Sequence, residues 1–265
     1  MRFKIFKIMG ILNVTPDSFS DGGIFLDTLE AIKQVDWMVE NRVDIVDIGG
    51  ESTRPNAPEV PAEEELRRVI PILREIRKIY PHLTISVDTT KYEVAKAALD
   101  EGADIINDVS GLQFNENLAE LVANYNAGLI IMHMKGTPRD MQANPEYDDV
   151  VQEVYNFLDK QILIAESNGV DKIWIDVGIG FGKKMKHNLE LLKNLDKFNT
   201  LKYPQVLGIS RKSFIGKMFN IDEPKDRDVQ TALLHSILIT KGIDIVRVHN
   251  VEYLNQLRKL LIEFS

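Results

Sequence analysis

The segment TISVDTTKYEVAKAALDEGADIINDVSG (84–111) shows which kind of fold the chain adopts. It begins with a short β-branched run, TISVDT (84–89), continues with an amphipathic segment from Tyr92 to Leu99, and ends with a second apolar run, IINDVS (105–110). Parallel strands need a crossover connection of about a dozen residues or more, and a helix usually supplies it. The segment therefore predicts a βαβ unit within a parallel sheet.

The same alternation recurs along the whole chain. Its eight short apolar runs are IMGILN (8–13), DIVDIG (44–49), TISVDT (84–89), IINDVS (105–110), LIIMHM (129–134), IWIDVG (173–178), QVLGIS (205–210) and IVRVHN (245–250). The amphipathic segments named between them are 63–79, 92–99, 117–125, 150–167, 189–195 and 231–240. Near-continuous hydrophobicity indicates strands that are buried on both faces. We expect an α/β fold, a TIM (β/α)8 barrel forming one domain over residues 1–265, with a doubly wound open sheet as the alternative.

Composition limits the classes of function. The chain has 265 residues, 44% of them hydrophobic and 27% charged, which is ordinary for a globular protein and near the usual length of a barrel. It has no cysteine, so disulfides, thiolate metal sites and cysteine nucleophiles are excluded. The net charge is −8 and no segment concentrates Lys or Arg, which disfavours a nucleic-acid partner.

Targeting segments are not expected either. The apolar N-terminal stretch is interrupted by Lys4 and Lys7, and no small-residue cleavage site follows it. No apolar run reaches the roughly 18 residues that a membrane helix needs. We expect a cytoplasmic protein without a membrane partner.

Polar residues stand where the predicted strands end. In a barrel all eight carboxyl ends meet at one face, which is where such folds carry their chemistry. We therefore expect one site to collect these side chains: Asn13, Asp47, Asp88, Asn107, Asp108, His133, Asp176, Ser210 to Ser213, Arg247 and His249.

Two turn-rich segments follow the first two strands. MGILNVTPDSFSDGG (9–23) has the composition of an ordinary βα loop, but as a run it resembles the first-loop signature of the dihydropteroate synthases. DIGGESTRP (47–55) could be a solvated helix entrance, and it resembles the second mobile loop of the same family. The resemblance implies that Thr53 and Arg54 contact the pyrophosphate end of the substrate. Loops carrying these two residues, Asp17 and Phe19 would close over the site.

The third and fourth strands end in a carboxylate and an amide. Asp88 could be only a helix cap. However, Asp88 and Asn107 facing one pocket would suit a pterin, whose N–H donors need acceptors in a dry cleft. The resemblance assigns both residues to pterin binding.

The sixth strand leads into IWIDVGIGFGKK (173–184), which matches neither the dinucleotide-binding nor the phosphate-loop glycine pattern. It offers Asp176 at a strand end and a turn that displays Phe181. In the resembling synthases Asp176 would be an acceptor and Phe181 would floor part of the aminobenzoate pocket. Val177 stands where the family usually has proline, which questions the rigidity of the turn.

The last two strand ends carry cations. In GISRKSFIGK (208–217) a solvated Arg-Lys pair is the ordinary interpretation, but the resemblance places Lys212 against the pterin and Ser213 near the aminobenzoate carboxylate. Arg247 and His249 fall on one face of the last strand, where the histidine could be structural and the arginine could clamp a diphosphate. Asn250 replaces the usual aspartate. MHMKGTPRDMQ (132–142) also matches the family, but its His133 and Met134 are equally consistent with core residues and are left out of the predicted site.

The resemblance covers about 9–251, and it implies condensation of 6-hydroxymethyl-7,8-dihydropterin pyrophosphate with p-aminobenzoate, the sulfonamide-sensitive step of folate synthesis. It further implies Mg²⁺ and a homodimer. The predicted catalytic residues are Asp88, Asp176, Lys212 and Arg247; further substrate-binding residues are Thr53, Arg54, Asn107, Phe181, Ser213 and His249; and the predicted metal ligand is Asn13. The alternatives are a corrinoid-linked methyltetrahydrofolate methyltransferase and a non-catalytic pterin-binding paralogue.

Overall fold

The computed structural model describes residues 5–15, 23–52 and 57–264, without the side chains of residues 23–27. Eight parallel strands pair in chain order, β1 with β2 and so on to β8, and β8 pairs with β1 to close the barrel. This closure confirms the predicted TIM barrel and excludes the open doubly wound sheet.

Helices alternate with the strands along the chain. The strands are β1 (Lys7–Asn13), β2 (Ile45–Gly49), β3 (Thr84–Asp88), β4 (Ile105–Asp108), β5 (Gly128–Met132), β6 (Lys172–Asp176), β7 (Gln205–Leu207) and β8 (Ile243–Val248). The helices are α1 (Gly23–Glu40), α2 (Ala62–Ile79), α3 (Tyr92–Asp100), α4 (Asn117–Asn124), α5 (Val150–Ser167), α6 (Met185–Lys193), α7 (Ser213–Phe219), α8 (Asp228–Leu238) and α9 (Val251–Glu263). Three 3₁₀ turns lie at Leu195–Leu201, Pro224–Arg227 and Ile239–Lys241. Within the described ranges, no helix is long and apolar enough to cross a membrane.

The predicted strands are all present, but most end earlier than the apolar runs suggested. The run QVLGIS (205–210) contributes only Gln205–Leu207, and IVRVHN (245–250) is in strand only to Val248. Helices α1, α7 and α9 were not among the segments predicted from periodicity.

The inside of the barrel is divided into an apolar base and a polar mouth. Six buried side chains form the base: Met9, Ile45, Ile105, Ile130, Val206 and Ile245. Side chains two residues apart along a strand share a face, so Arg247 lies one layer above Ile245. At the next layer Gly49 pairs with Asp88, and Asp88 pairs with Asn107. The polar side chains inside the barrel therefore lie above the apolar base, at the C-terminal mouth.

Candidate active site

Arg247 joins three strands at the mouth of the barrel. Its Nε donates to Asp47 Oδ2 at 2.6 Å, and its Nη2 donates to Asp88 Oδ2 at 2.7 Å. The same Asp47 oxygen accepts a hydrogen bond from Asn107 Nδ2 at 3.2 Å. Asp47 is fully buried, and the side chain of Arg247 is 19% exposed. These contacts hold the guanidinium, two carboxylates and an amide in one network.

Burial controls the protonation of this network. Burial raises the pKa of Asp88 to about 7, although the positive charge of Arg247 opposes the rise. For Arg247 burial favours the neutral form, but the carboxylates of Asp47 and Asp88 outweigh it and raise its pKa above the ordinary value. Arg247 is therefore charged at all ordinary pH values, whereas Asp88 changes its charge near neutrality.

Asp176 and Lys212 form the opposite side of the mouth. Asp176 Oδ1 accepts a hydrogen bond from the Gly178 N–H at 2.7 Å, and burial raises the pKa of this carboxyl. Lys212 Nζ lies 4.0 Å from the ring centroid of Phe181, a cation–π contact. Burial lowers the pKa of Lys212 to about 8, against the opposing charge of Asp176. A methyl group placed on Gly208 would lie 3.6 Å from Asp176 Oδ2 and 4.0 Å from Cβ and Cδ of Arg247, so the two sides of the mouth adjoin each other.

The turn after β6 keeps its shape without the proline that was expected at Val177. Gly178, Gly180 and Gly182 have φ values of +67°, +85° and +62°, a region that favours glycine. Lys183, which is 2% exposed, closes the turn by donating to the carbonyls of Gly178 at 2.8 Å and Phe181 at 3.0 Å. The Val177 departure therefore leaves an ordered turn.

The Arg-Lys pair after β7 is split between two environments. Arg211 has a φ of +59° and donates from Nε and Nη2 to the two carboxylate oxygens of Asp228, each at 2.7 Å. Asn250 caps α9 through Tyr253 N and lies with its Nδ2 3.4 Å from Asp228 Oδ2. An aspartate at position 250 would face Asp228 with like charge, so the amide suits this chain. Lys212 is left to point into the site.

Three further predicted residues surround this centre. His249 lies directly after β8, with its Nδ1 2.9 Å from Ser210 Oγ. A methyl group placed on Gly49 would lie 3.8 Å from Asn13 Oδ1 and 3.7 Å from Asp88 Cβ, so Asn13 lies at the same rim. Ser213 is the exposed first residue of α7.

The predicted residues of the first two loops fall outside the described ranges. Thr53 and Arg54 lie outside the described residues, as do Asp17 and Phe19. The remaining predicted set falls into a central group, Asp88, Asn107, Asp176, Phe181, Lys212 and Arg247, and a peripheral group, Asn13, Ser213 and His249.

Asp47 is the residue that the sequence-based site omitted. It was recognised as a polar strand-end residue, but no role was given to it. The available signal was its position inside an otherwise apolar run, IVDIG (45–49), because a carboxylate in a buried strand needs a partner. That partner is Arg247, 200 residues away in the chain.

Comparisons with known proteins agree with this geometry. The sequence profile of the pterin binding enzyme family matches residues 9–249. The dihydropteroate synthase of Haemophilus influenzae is 46% identical over 258 residues, which are 96% of this chain and 92% of that protein. The structure of the Xanthomonas albilineans dihydropteroate synthase with 4-aminobenzoic acid superposes with a TM-score of 0.91 at 40% identity, covering 98% of this chain and 93% of that chain. The Yersinia pestis dihydropteroate synthase with a sulfonamide drug complex gives a TM-score of 0.91 at 36% identity, covering 98% and 94%.

The family match spans most of the chain. The eight-stranded barrel brings strand-end carboxylates such as Asp88 and cations such as Arg247 to one mouth. The chain therefore belongs to the pterin binding enzyme family and, within it, to the dihydropteroate synthases.

Proposed function

We propose that residues 1–265 act as one pterin-binding barrel domain that condenses 6-hydroxymethyl-7,8-dihydropterin pyrophosphate with p-aminobenzoate, releasing pyrophosphate and 7,8-dihydropteroate. The observation that carries the proposal is the convergence of Asp88, Asn107, Asp176, Lys212 and Arg247 on one barrel mouth. These residues come from β3, β4, β6, β8 and the loop after β7, and they combine hydrogen-bond acceptors with fixed positive charge.

The pterin ring is held by the acceptors. Asp88, Asn107 and Asp176 receive its amino and ring N–H donors, and Lys212 donates to its carbonyl side. Asn107 is oriented for this task by its hydrogen bond to Asp47. Burial of this kind makes each bond selective, because a ligand without the matching donor leaves a buried carboxylate unpaired.

Catalysis is electrostatic. When the bond between the exocyclic methylene and the diphosphate oxygen breaks, positive charge spreads into the pterin ring and negative charge grows on the departing diphosphate. Asp88 and Asp176 stabilise the first charge, and Arg247, His249 and Arg54 stabilise the second. The amine of p-aminobenzoate then forms the new C–N bond and loses a proton, so no side chain becomes a covalent nucleophile.

A magnesium ion fits the rim on its donor chemistry. Asn13 places an amide oxygen beside Gly49 and close to Asp88, and Mg²⁺ prefers hard oxygen ligands. In the part of the chain that the structure describes, no cluster of three or more His, Cys, Asp or Glu could hold a metal by itself. We therefore propose Asn13 as the protein ligand to an ion otherwise held by water and the diphosphate. When bound, the ion neutralises charge on the leaving group.

The p-aminobenzoate site lies beside Phe181. The ring of Phe181 packs with Val109, Met132, Met134 and Met141 in a small apolar cluster at the mouth. We propose that Phe181, backed by this cluster, contacts one face of the benzene ring, and that Ser213 at the start of α7 binds the carboxylate. Sulfonamides share the p-aminophenyl ring of p-aminobenzoate, so they would compete for the same site.

A homodimer is proposed from the outer face of α8. Val229, Leu233 and Ile237 lie four residues apart on one side of this helix and are 48%, 58% and 64% exposed. Contiguous exposed apolar side chains of this kind can mark a protein–protein interface. A second copy of the chain is the occupant that we propose for it. The cytoplasm stays the proposed compartment, and a chain without cysteine is compatible with a reducing one.

The experiment that tests the function is a pyrophosphate-release assay. Purified protein is supplied with Mg²⁺ and the pterin pyrophosphate, with and without p-aminobenzoate. Release that depends on p-aminobenzoate, together with formation of dihydropteroate, is the expected result. Pterin binding without release would instead identify a non-catalytic paralogue, and methyl transfer from methyltetrahydrofolate to a corrinoid would identify a methyltransferase.

A further inference from the structure

Lys183 has a buried side-chain amine that the proposed chemistry does not use, and burial lowers the pKa of this amine well below its ordinary value. Its Nζ lies 2.9 Å from His133 Nδ1, 2.8 Å from the Gly178 carbonyl and 3.0 Å from the Phe181 carbonyl. Within the described ranges it forms no ion pair with a carboxylate at salt-bridge distance. Because burying an ammonium without a counter-ion is unfavourable, its position requires an explanation.

The turn that surrounds Lys183 has one backbone hydrogen bond of its own, from Phe181 N–H to the Gly178 carbonyl at 3.1 Å, and Gly180 N–H donates to Asn188 Oδ1 at 2.8 Å. A Cβ on Gly178 would lie 1.9 Å from the His133 carbonyl oxygen, and a Cβ on Gly182 would lie 2.2 Å from the Lys135 carbonyl oxygen. The turn therefore packs backbone against backbone on the loop that follows β5. Inward-facing carbonyls in such a contact need a donor, which a second carbonyl cannot provide.

The turn also connects two parts of the site. It begins at Asp176, whose carboxylate accepts from Gly178 N, and it carries Phe181, whose ring covers Lys212. A change in the path of the turn would move the aromatic wall and uncover the lysine. The position of the two side chains thus depends on the donors that hold the turn.

A direct role for Lys183 in binding substrate phosphate is disfavoured. The carbonyls of Gly178 and Phe181 use two N–H donors of Nζ, and the contact with His133 Nδ1 uses the third N–H of an ammonium or the lone pair of a neutral amine. In neither form is an N–H left for a phosphate. The imidazole of His133 is suited to accept one, because burial lowers its pKa to about 2 and keeps it neutral.

We propose that Lys183 is a positioning residue for this reaction: by binding the carbonyls of Gly178 and Phe181 together with His133, it holds the 176–183 turn so that Phe181 lies over Lys212 and forms the aminobenzoate wall. The inference rests on the proposed function of the same site. Lys183 does not touch the substrates and acts through Phe181 and Lys212.

Lys183→Met tests the proposal because it keeps the aliphatic length and removes the donors. Lys186→Met, at an exposed position on α6, is the matched control. We expect Lys183→Met to raise the KM for p-aminobenzoate by about tenfold or more, since a displacement of about 1 Å can change rates by two orders of magnitude. The KM for the pterin pyrophosphate should change less, and Lys186→Met should match the unmodified enzyme.

A second readout separates positioning from stability. Lys212 faces Phe181, Asp176, Asp88 and Arg247, and burial sets its pKa at about 8. Moving Phe181 away exposes Lys212 to water, so the alkaline limb of kcat/KM for the pterin substrate should move to higher pH in Lys183→Met. An unchanged aminobenzoate KM with an unchanged alkaline limb, accompanied only by a lower Tm, would overturn the proposal.

Tyr147→Phe keeps the proposal testable if Lys183→Met does not fold. The Tyr147 hydroxyl donates to the Gly182 carbonyl at 2.8 Å and so supports the same turn from outside the site. Its removal should raise the aminobenzoate KM in the same direction by a smaller factor, and wild-type values for both readouts would contradict the role of the turn. Absence of pyrophosphate release by the unmodified protein would instead refute the function itself, so the two failures are distinguishable.

Discussion

Arg247 and Asp88 lie on β8 and β3, 159 residues apart in the chain, and meet across 2.7 Å at the barrel mouth. In the barrel β1 and β2 lie between these strands, and the curvature of the closed sheet brings the two side chains together across the mouth. The contact has a chemical consequence, because the same carboxylate that binds Arg247 is expected to receive N–H donors from the pterin. Binding of the substrate and the charge state of the network are therefore coupled.

Asp88→Ala and Lys212→Ala should each abolish pterin binding while the fold stays intact. Loss of a hydrogen bond to a charged group weakens binding by about 2–3 kcal/mol, or roughly a hundredfold in Kd, so no binding should be detected at concentrations that saturate the unmodified protein. Calorimetric titration with the pterin pyrophosphate measures the effect, and Lys217→Ala, an exposed lysine of α7, is the control. Normal binding by either variant would show that the pocket has been assigned wrongly.

Asp47→Asn should reduce stability as well as activity. Asp47 is fully buried and carries hydrogen bonds from both Arg247 and Asn107. Removing its charge leaves Arg247 with Asp88 alone, and breaking a buried pair costs about 3 kcal/mol or more of unfolding free energy. Urea denaturation measures the change. A loss below about 1 kcal/mol would mean that Asp88 compensates fully.

Pterin binding should have a narrow pH range. Below pH about 7 Asp88 takes up a proton and loses an acceptor, and above pH about 8 Lys212 loses its proton and a donor. kcat/KM for the pterin pyrophosphate, which reports the free enzyme, should therefore be bell-shaped with its maximum between these values. A flat profile from pH 6 to 9 would contradict the protonation states assigned to the two residues.

Asn13→Ala should weaken the binding of magnesium. Removing Mg²⁺ with a chelator should stop pyrophosphate release by the unmodified enzyme, and added Mg²⁺ should restore it. The variant should need a higher Mg²⁺ concentration for half-maximal activity, by roughly tenfold, because one ligand is lost. An identical Mg²⁺ titration for both proteins would remove Asn13 from the metal site.

Leu233→Glu should produce a monomer. A charge placed in the centre of the exposed α8 stripe would be buried without a partner in the dimer. Leu163 on α5 has nearly the same exposure, 57% against 58%, so Leu163→Glu is the matched control. Sedimentation velocity distinguishes the species, and a Leu233→Glu protein that sediments like the unmodified one would place the interface elsewhere.

The order and number of the strands could be predicted from the chain because each strand is buried on both faces and is therefore continuously apolar. Helix α5 was predicted with its observed bounds, Val150–Ser167, whereas α7 was not predicted. Helix α7 has only seven residues, which is too short for a clear helical period. Local pattern thus identifies long elements better than short ones.

The candidate site could be predicted as a set of residue types, but not as a network. Asp88, Asn107 and Asp176 were recognised by their positions at strand ends, whereas Asp47 and Lys183 were not chosen. Asp47 is important because it binds Arg247, which is distant in the chain. Lys183 is important because it binds backbone groups such as the Phe181 carbonyl. A sequence pattern shows neither contacts between distant residues nor contacts with backbone carbonyls.

The sequence by itself determined that this chain forms alternating strands and helices with polar residues at the strand ends, because local periodicity decides which face of an element is buried. Tertiary structure alone decided that Arg211 turns outward to Asp228 while Lys212 turns inward to Phe181. Closure of the barrel also decided which carboxylates share Arg247. The reason is physical: charge pairing and pKa depend on distances through space and on burial, and both arise only when the eight strands close.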